Sequence, residues 1–252
     1  MFIGNAILSQ AQTSDTCCIV VDSVAQTTNH KSFLKTKDVI GIAIPVAMIT
    51  YGIISIESDA LKKLDYSTRN ELLEDNSMWY NRWDDYFQFS PAVLAFGLKL
   101  SGVEGKHKLS DMFILYCLSN ILESGFIYTI KYLTGRKRPD GSNYHSFPSG
   151  HTATAFVAAE FLYQEYKDQS VWISVGGYGM ATLIGISRVY NNKHWVSDVV
   201  AGAGIGILST KIVYWAYPSL QNLFSGKNKK YQALMCPSYE NGALGLNFSC
   251  TF

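Results

Sequence analysis

The chain has 252 residues, 48% of them hydrophobic and only 16% charged, against roughly a quarter charged in an average soluble domain, which excludes a disordered chain and a nucleic-acid-binding protein. The 21 Lys and Arg nearly cancel the 20 Asp and Glu, so no global field attracts polyanions, and an anion site has to arise from local clustering of cations. Five Cys cannot form a fully paired disulfide framework, and they carry no evident chemistry.

Residues 1–37 form an N-terminal segment whose start, MFIGNAILSQAQTSD, resembles the end of a signal peptide. A short apolar run leads to the small-residue site Ser9-Gln10-Ala11, without a basic region ahead of it. Residues 39–56 carry no charge and, at about 1.5 Å per helical residue, come close to crossing a hydrocarbon core of about 30 Å; this stretch reads as a transmembrane helix. Residues 57–90 follow, rich in carboxylates (Asp59, Asp65, Glu71, Glu74, Asp75, Asp84, Asp85) and ending in the aromatic run MWYNRWDDYFQF. That run suits a membrane interface and equally a lid packed on a helix bundle.

Five more apolar stretches follow, at 91–103, 112–130, 153–163, 171–186 and 199–217. Lys99, Glu123 and Lys211 interrupt three of them, each costly at mid-bilayer unless it faces the bundle interior or snorkels; a Glu123–Lys211 pair would serve. The pattern predicts an all-α bundle of about six core helices over 38–217, transmembrane in character, followed by a polar tail, 218–252. The end of that tail, GALGLNFSCTF, alternates as a short strand does. A mean hydropathy of +0.05 is low for six spans, so a soluble helical protein is the alternative. Lys31, Lys35 and Lys37, Lys106 and Lys108, and Lys227, Lys229 and Lys230 flank alternate stretches. By the positive-inside rule these segments are cytoplasmic, which puts the loops after the third and fifth stretches outside.

Those two loops hold the chemistry. In KYLTGRKRP, Lys131, Arg136, Lys137 and Arg138 crowd the end of an apolar helix and call for a compensating anion. In FPSGHTATAF, Ser149 is a candidate N-cap, and the N–H groups of the helix start make an anion site that Gly150 leaves open to close approach. In SRVYNNKHWVSD, Arg188 lies six residues before His194, and Asp198 lies four after it, on the same helical face. Two His, an Asp to orient one of them, and three spaced cations make a constellation for phosphate chemistry.

The set Lys131, Arg138-Pro139, Pro148-Ser149-Gly150-His151, Ser187-Arg188, His194 and Asp198 resembles the three-part signature of the type 2 phosphatidic acid phosphatase superfamily, with no position departing from it. That superfamily includes membrane lipid phosphatases, soluble bacterial acid phosphatases and vanadium haloperoxidases. The resemblance implies that His194 attacks phosphorus to form a phosphohistidine and that Asp198 orients it. It also implies that His151 protonates the leaving oxygen and later activates water, while Lys131, Ser149, Gly150, Arg138 and Arg188 bind the phosphate oxygens. It implies no metal, no cofactor and no obligate protein partner.

Arg136, Lys137, Lys193 and Trp195 match no motif position and read as supporting or substrate-facing groups; His107 and His145 read as solvated loop residues. The leading expectation is an inner-membrane phosphatase whose active site faces the periplasm. Its substrate would be a lipid phosphate monoester or pyrophosphate of the lipid A, undecaprenyl diphosphate or phosphatidylglycerol phosphate type. The alternatives are a soluble periplasmic acid phosphatase of broad specificity and a non-hydrolytic protein using the same pocket.

Overall fold

The computed structural model describes residues 36–75, 82–224, 232–240 and 243–251. The chain divides into Met1–Lys35 and Thr36–Phe252. The signal-like start, Cys17, Cys18, Trp79, Tyr80 and the lysines at 31, 35, 227, 229 and 230 lie outside the described residues.

All six apolar stretches are helical, the second of them only as far as Leu100. They fall in α1 (Thr36–Glu57), α4 (Ser90–Leu100), α5 (Leu109–Thr134), α6 (Gly150–Tyr166), α7 (Val171–Tyr190) and α8 (Val196–Phe224). The carboxylate-rich segment adds α2 (Asp59–Asp75) and the single turn α3 (Asp84–Phe87). In α2 the Leu, Lys, Arg and Glu residues favour helix, and Asp59 meets the positive end of its dipole. α8 continues through Pro218 to Phe224. β1 (Gln232–Glu240) and β2 (Ala243–Thr251) then pair antiparallel, Gln232 with Thr251 and Glu240 with Ala243, so the alternating end of the chain is a strand. In that register Cys236 is opposite Asn247 and Cys250 opposite Ala233.

The centre of the bundle is α6, which packs against α4, α5, α7 and α8, while α1 packs on α8. Its side chains are small where neighbours press closest: Thr152, Ala153, Ala155, Ala158 and Ala159 are fully buried, and small residues let helix backbones approach. Gly202 of α8 is required by the same closeness, since a Cβ there would lie 2.5 Å from the Ser149 carbonyl oxygen. The starts of α6 and α8, which carry two of the motifs, are thereby locked together.

Among the described residues, α5 and the Val196–Gln221 part of α8 are each long and apolar enough to cross a membrane, and residues 41–57 of α1 with 59–72 of α2 are so only together, across a bend of 93° that suits a broken span or a re-entrant loop. The outer faces agree. Ile121 is 68% exposed, Leu133 80% and Trp172 81%, whereas Glu160 is fully buried. A soluble bundle turns its apolar stripe inward; here apolar groups also face out and charges pair within, the arrangement of helices in lipid.

Two sequence expectations are corrected inside the bundle. Lys211 pairs with Glu160 at 2.9 Å rather than with Glu123, because Glu160 lies on the face of α6 that meets α8; it also accepts from Gln164 and the Tyr178 hydroxyl. Glu123 is buried on α5, where the Ser124 hydroxyl donates to it at 3.2 Å. His107 is not a solvated loop residue. Its Nδ1 lies 2.7 Å from Glu165 and its ring packs edge-on to Tyr214 and Tyr217. His145 is exposed, as expected.

Candidate active site

The three motif segments meet at one end of the bundle. α5 ends at Gly135, whose φ of 52° is the left-handed conformation that stops a helix and turns the chain. The returning loop is held by backbone bonds from Ser146 N–H to Arg136 C=O (2.9 Å) and from Ser149 N–H to Asp198 C=O (3.0 Å). Lys131 donates to the carbonyls of His145 (2.9 Å) and Pro148 (2.7 Å), leaving one of its three N–H groups for a ligand. Ser149 is the N-cap residue of α6 but makes no side-chain capping bond. Its hydroxyl lies 2.9 Å from that of Thr152, so no side chain blocks the start of the helix at Gly150.

His194 is 2% exposed, and its Nδ1 lies 2.7 Å from the Ser146 carbonyl oxygen. A carbonyl can only accept, so Nδ1 carries the proton and Nε2 the lone pair. Burial, with the charges of Lys131 and Arg188 acting against Asp198, pushes the imidazole down to about 4, so it stays neutral. Asp198 lies where the i, i+4 spacing puts it, but its Oδ2 is 3.7 Å from the ring. The Ser146 carbonyl is thus the nearer partner of Nδ1, with Asp198 behind it. The oxygens of Asp198 are taken by the Trp195 N–H (2.9 Å), the Ser146 hydroxyl and Arg136 (2.6 Å). Asp198 fixes the loop that presents the Ser146 carbonyl.

Arg136 is the hub of that arrangement. Its guanidinium donates to Asp198, to the Ser197 hydroxyl (2.8 Å) and to Asp65 of α2 (2.8 Å), and lies 5.6 Å from the Trp195 ring centroid. Asp65 in turn accepts from the Ser197 N–H and hydroxyl. Lys193 pairs with Asp140 at 2.8 Å, and Trp195 donates its indole N–H to the Lys137 carbonyl.

The segment before α4 delivers two carboxylates to the same place. Asp84, 1% exposed, receives Arg188 at 2.6 Å, the Asn191 amide at 3.1 Å and the Ser187 hydroxyl at 3.3 Å. Asp85 meets Nε2 of His151 at 2.9 Å. Burial pushes the Asp85 carboxyl up, but the bond to His151 and the positive charges of Arg82 and Arg188 outweigh it and hold it below the usual carboxylate range. Arg138 is half-buried with its Nε unpartnered, as is Nε of Arg188. Burial and the charge of Arg188 lower the Arg138 guanidinium from its ordinary value, so the site keeps uncompensated positive charge.

The eight signature residues to which a role was attached thus converge, and Arg136 joins them as a supporting group. Asp65, Asp84, Asp85, Ser146 and Ser197 were not singled out by pattern. The adjacent acids of WDDYF, set in an aromatic run, were the visible signal for two of them, since such charges are buried only against partners.

Residues 109–221, which span all three motifs, match the PAP2 superfamily. The chain is 41% identical over 138 residues to the lipid A 1-phosphatase of Porphyromonas gingivalis, a match covering 54% of this chain and 31% of that protein. It is 37% identical over 76 residues to the bacitracin transport permease protein BcrC of Bacillus licheniformis, covering 30% and 36%. The chain thus spans about a third of the length of each of these relatives. The crystal structure of the transmembrane PAP2-type phosphatidylglycerolphosphate phosphatase of Bacillus subtilis aligns with a TM-score of 0.47 at 24% identity, over 74% of this chain and 98% of that one. The match to the PAP2 superfamily thus falls on the helical core that carries all three motifs.

Proposed function

We propose that the protein is a metal-independent membrane phosphatase that hydrolyses a phosphate monoester or pyrophosphate on a lipid through a phosphohistidine. The observation that carries this reading is the buried His194, its Nδ1 bound to a carbonyl oxygen, beside Lys131, Arg138, Arg188 and the open start of α6. Nε2 attacks phosphorus as the bond to the leaving oxygen breaks, and His151 gives that oxygen its proton. Water, deprotonated by His151, then displaces His194 from phosphorus, releasing phosphate. Two displacements replace one difficult step. Asp85, on Nε2 of His151, favours the doubly protonated ring that serves as the acid, against burial and the charge of Arg188, which together lower the imidazole from its ordinary value, and it leaves Nδ1 for the leaving oxygen. The three cations, the Ser149 hydroxyl and the Gly150 N–H face the equatorial oxygens, where charge concentrates in the transition state.

A lipid substrate is supported by the outward-facing apolar helices, and by relatives that carry the name lipid A 1-phosphatase. Lipid A, undecaprenyl diphosphate and phosphatidylglycerol phosphate are the candidates. The lysine bias supports an inner-membrane location with the site facing the periplasm.

The test is phosphate release by the detergent-purified protein from these lipids and from water-soluble esters, in the presence of EDTA. Turnover on lipids without added metal is expected, together with inhibition by vanadate. His194→Ala should lose both turnover and trapping of a phosphoenzyme while keeping its helical circular dichroism. Turnover that survives His194→Ala, or that vanishes in EDTA and returns with one divalent ion, overturns the mechanism.

A further inference from the structure

Next to the reacting site lies a cleft of about 430 Å³, lined by Lys62, Tyr66, Arg69, Lys137, Arg138 and Trp195, most of which the three motifs do not account for. Its charge is unbalanced. Arg136, at its edge, is neutralised by Asp65 and Asp198, and Asp140 by Lys193. The side-chain partner of Arg69 among the described residues is the neutral amide oxygen of Asn192, at 3.0 Å. Among the described residues no carboxylate lies within 4.0 Å of Arg69, Lys137 or Arg138. Lys62 donates to the Glu57 carbonyl and stands 3.7 Å from the solvent-exposed Asp59, a pairing of little strength in water.

Like charges gathered around a concavity raise the local concentration of an opposite charge and bind it. Arg138 is common to this cleft and to the proposed phosphate-binding set, so the cleft adjoins the place of the reacting phosphate. The volume lies within the range of small-molecule sites, with room for more than a phosphate. Tyr66, 52% exposed and edge-on to Trp195 at 4.8 Å, supplies an apolar wall for the carbon skeleton between two charged groups.

We propose that this cleft is a second anion subsite, which selects lipid headgroups bearing a second phosphate beside the one that reacts. This rests on the phosphatase reading above and narrows its substrate class. Arg69 and Lys137 determine specificity here and play no part in the chemistry, while Arg138 spans both sites.

The test compares two probes in the same detergent micelles: lipid A with two phosphate monoesters, and phosphatidic acid with one. In Arg69→Gln/Lys137→Gln the KM for bisphosphorylated lipid A should rise roughly tenfold, about the effect of losing two partly solvated charge contacts, with kcat unchanged. The kinetics on phosphatidic acid should stay within about twofold. Lys137→Gln alone, at an exposed side chain with no ion pair among the described residues, should show a smaller rise of the same kind, reversed in Lys137→Arg. It carries the test if loss of the Arg69–Asn192 bond impairs folding. Equal losses on both probes, or none on either, overturn the subsite. If the wild type releases phosphate from neither probe, the phosphatase reading is decided separately on the full lipid panel above; the affinities of wild type and variant for the two micelles, measured by calorimetry, then decide the subsite by the same comparison.

Discussion

Arg136→Met isolates the charge clamp beneath His194, the proposed nucleophile. The side chains of Asp65 and Asp198 are 1% and 0% exposed, and that of Arg136 only 12%, so removing the guanidinium strands two carboxylates away from water. Breaking a buried ion pair by deleting one partner costs about 3 to 5 kcal/mol, because the charge left behind is uncompensated. For a chain of this size that lowers Tm by about 10 °C. Asp65→Asn alone should cost less, since Arg136 keeps Asp198. The double variant Arg136→Met/Asp65→Asn removes the cation with one of its anions, so it should be more stable than the two single losses added together, with a coupling of about 2 kcal/mol. The assay is thermal unfolding in one detergent at pH 7.5, paired with phosphate release. Because Arg136 holds Asp198, and Asp198 holds the loop whose Ser146 carbonyl orients His194, Arg136→Met should lower kcat more than it raises KM. Additivity within about 0.5 kcal/mol, or a loss confined to KM, would refute the clamp.

Three further outcomes follow from the same geometry. The ring of His194 titrates at about 4 in the folded chain and near 6.5 when unfolded. No stability is therefore lost above pH 6.5, whereas from 6.5 down to 4 the unfolded chain takes up a proton that the folded one refuses, costing about 3 kcal/mol in all. Unfolding scans from pH 8 to 4.5 should show a fall in Tm that is shallower in His194→Asn, and identical slopes would contradict a buried neutral ring. His151→Ala should slow lipid turnover at least about 100-fold and Asp85→Asn about tenfold. Both should lose less on a nitrophenyl ester, whose leaving group needs no proton, and equal losses on the two substrate types would count against the acid role. For sidedness, in a variant without native Cys, Ser142→Cys should react with a membrane-impermeant thiol reagent in cells with a permeabilised outer membrane, and Lys106→Cys only after lysis. Labelling at Lys106→Cys alone would invert the topology.

What the sequence made legible and what it hid differ in physical kind. The motif cations and both motif His were readable because each motif is short and its spacing fixes geometry locally: Lys131 and Arg138 bracket one turn, and Ser149 to His151 open one helix. Six helices were readable because apolar runs of that length have few other uses. The partners of these groups were not readable, since they depend on which helix faces which. Asp65 is 71 residues from Arg136 and Asp84 is 104 from Arg188, and no periodicity links them. The Glu123–Lys211 expectation failed for that reason, because two apolar helices each holding one charge do not reveal which face is turned toward the other. The i, i+4 relation of His194 and Asp198 placed them correctly, yet it could not show that Trp195 and Ser146 claim the same carboxylate oxygen first.

A physical logic joins the hidden parts. The signature concentrates positive charge at the end of a membrane bundle, which without substrate would repel itself in a poorly hydrated place. Asp84 and Asp85 reach that charge from the segment outside the signature, one on Arg188 and one on His151. Asp65 and Asp198 absorb Arg136. Among the described residues, Arg138 beside the place of the reacting phosphate and Arg69 and Lys137 along the adjoining cleft have no carboxylate within 4.0 Å. On the subsite proposal, an anion that arrives with the substrate supplies the charge they lack.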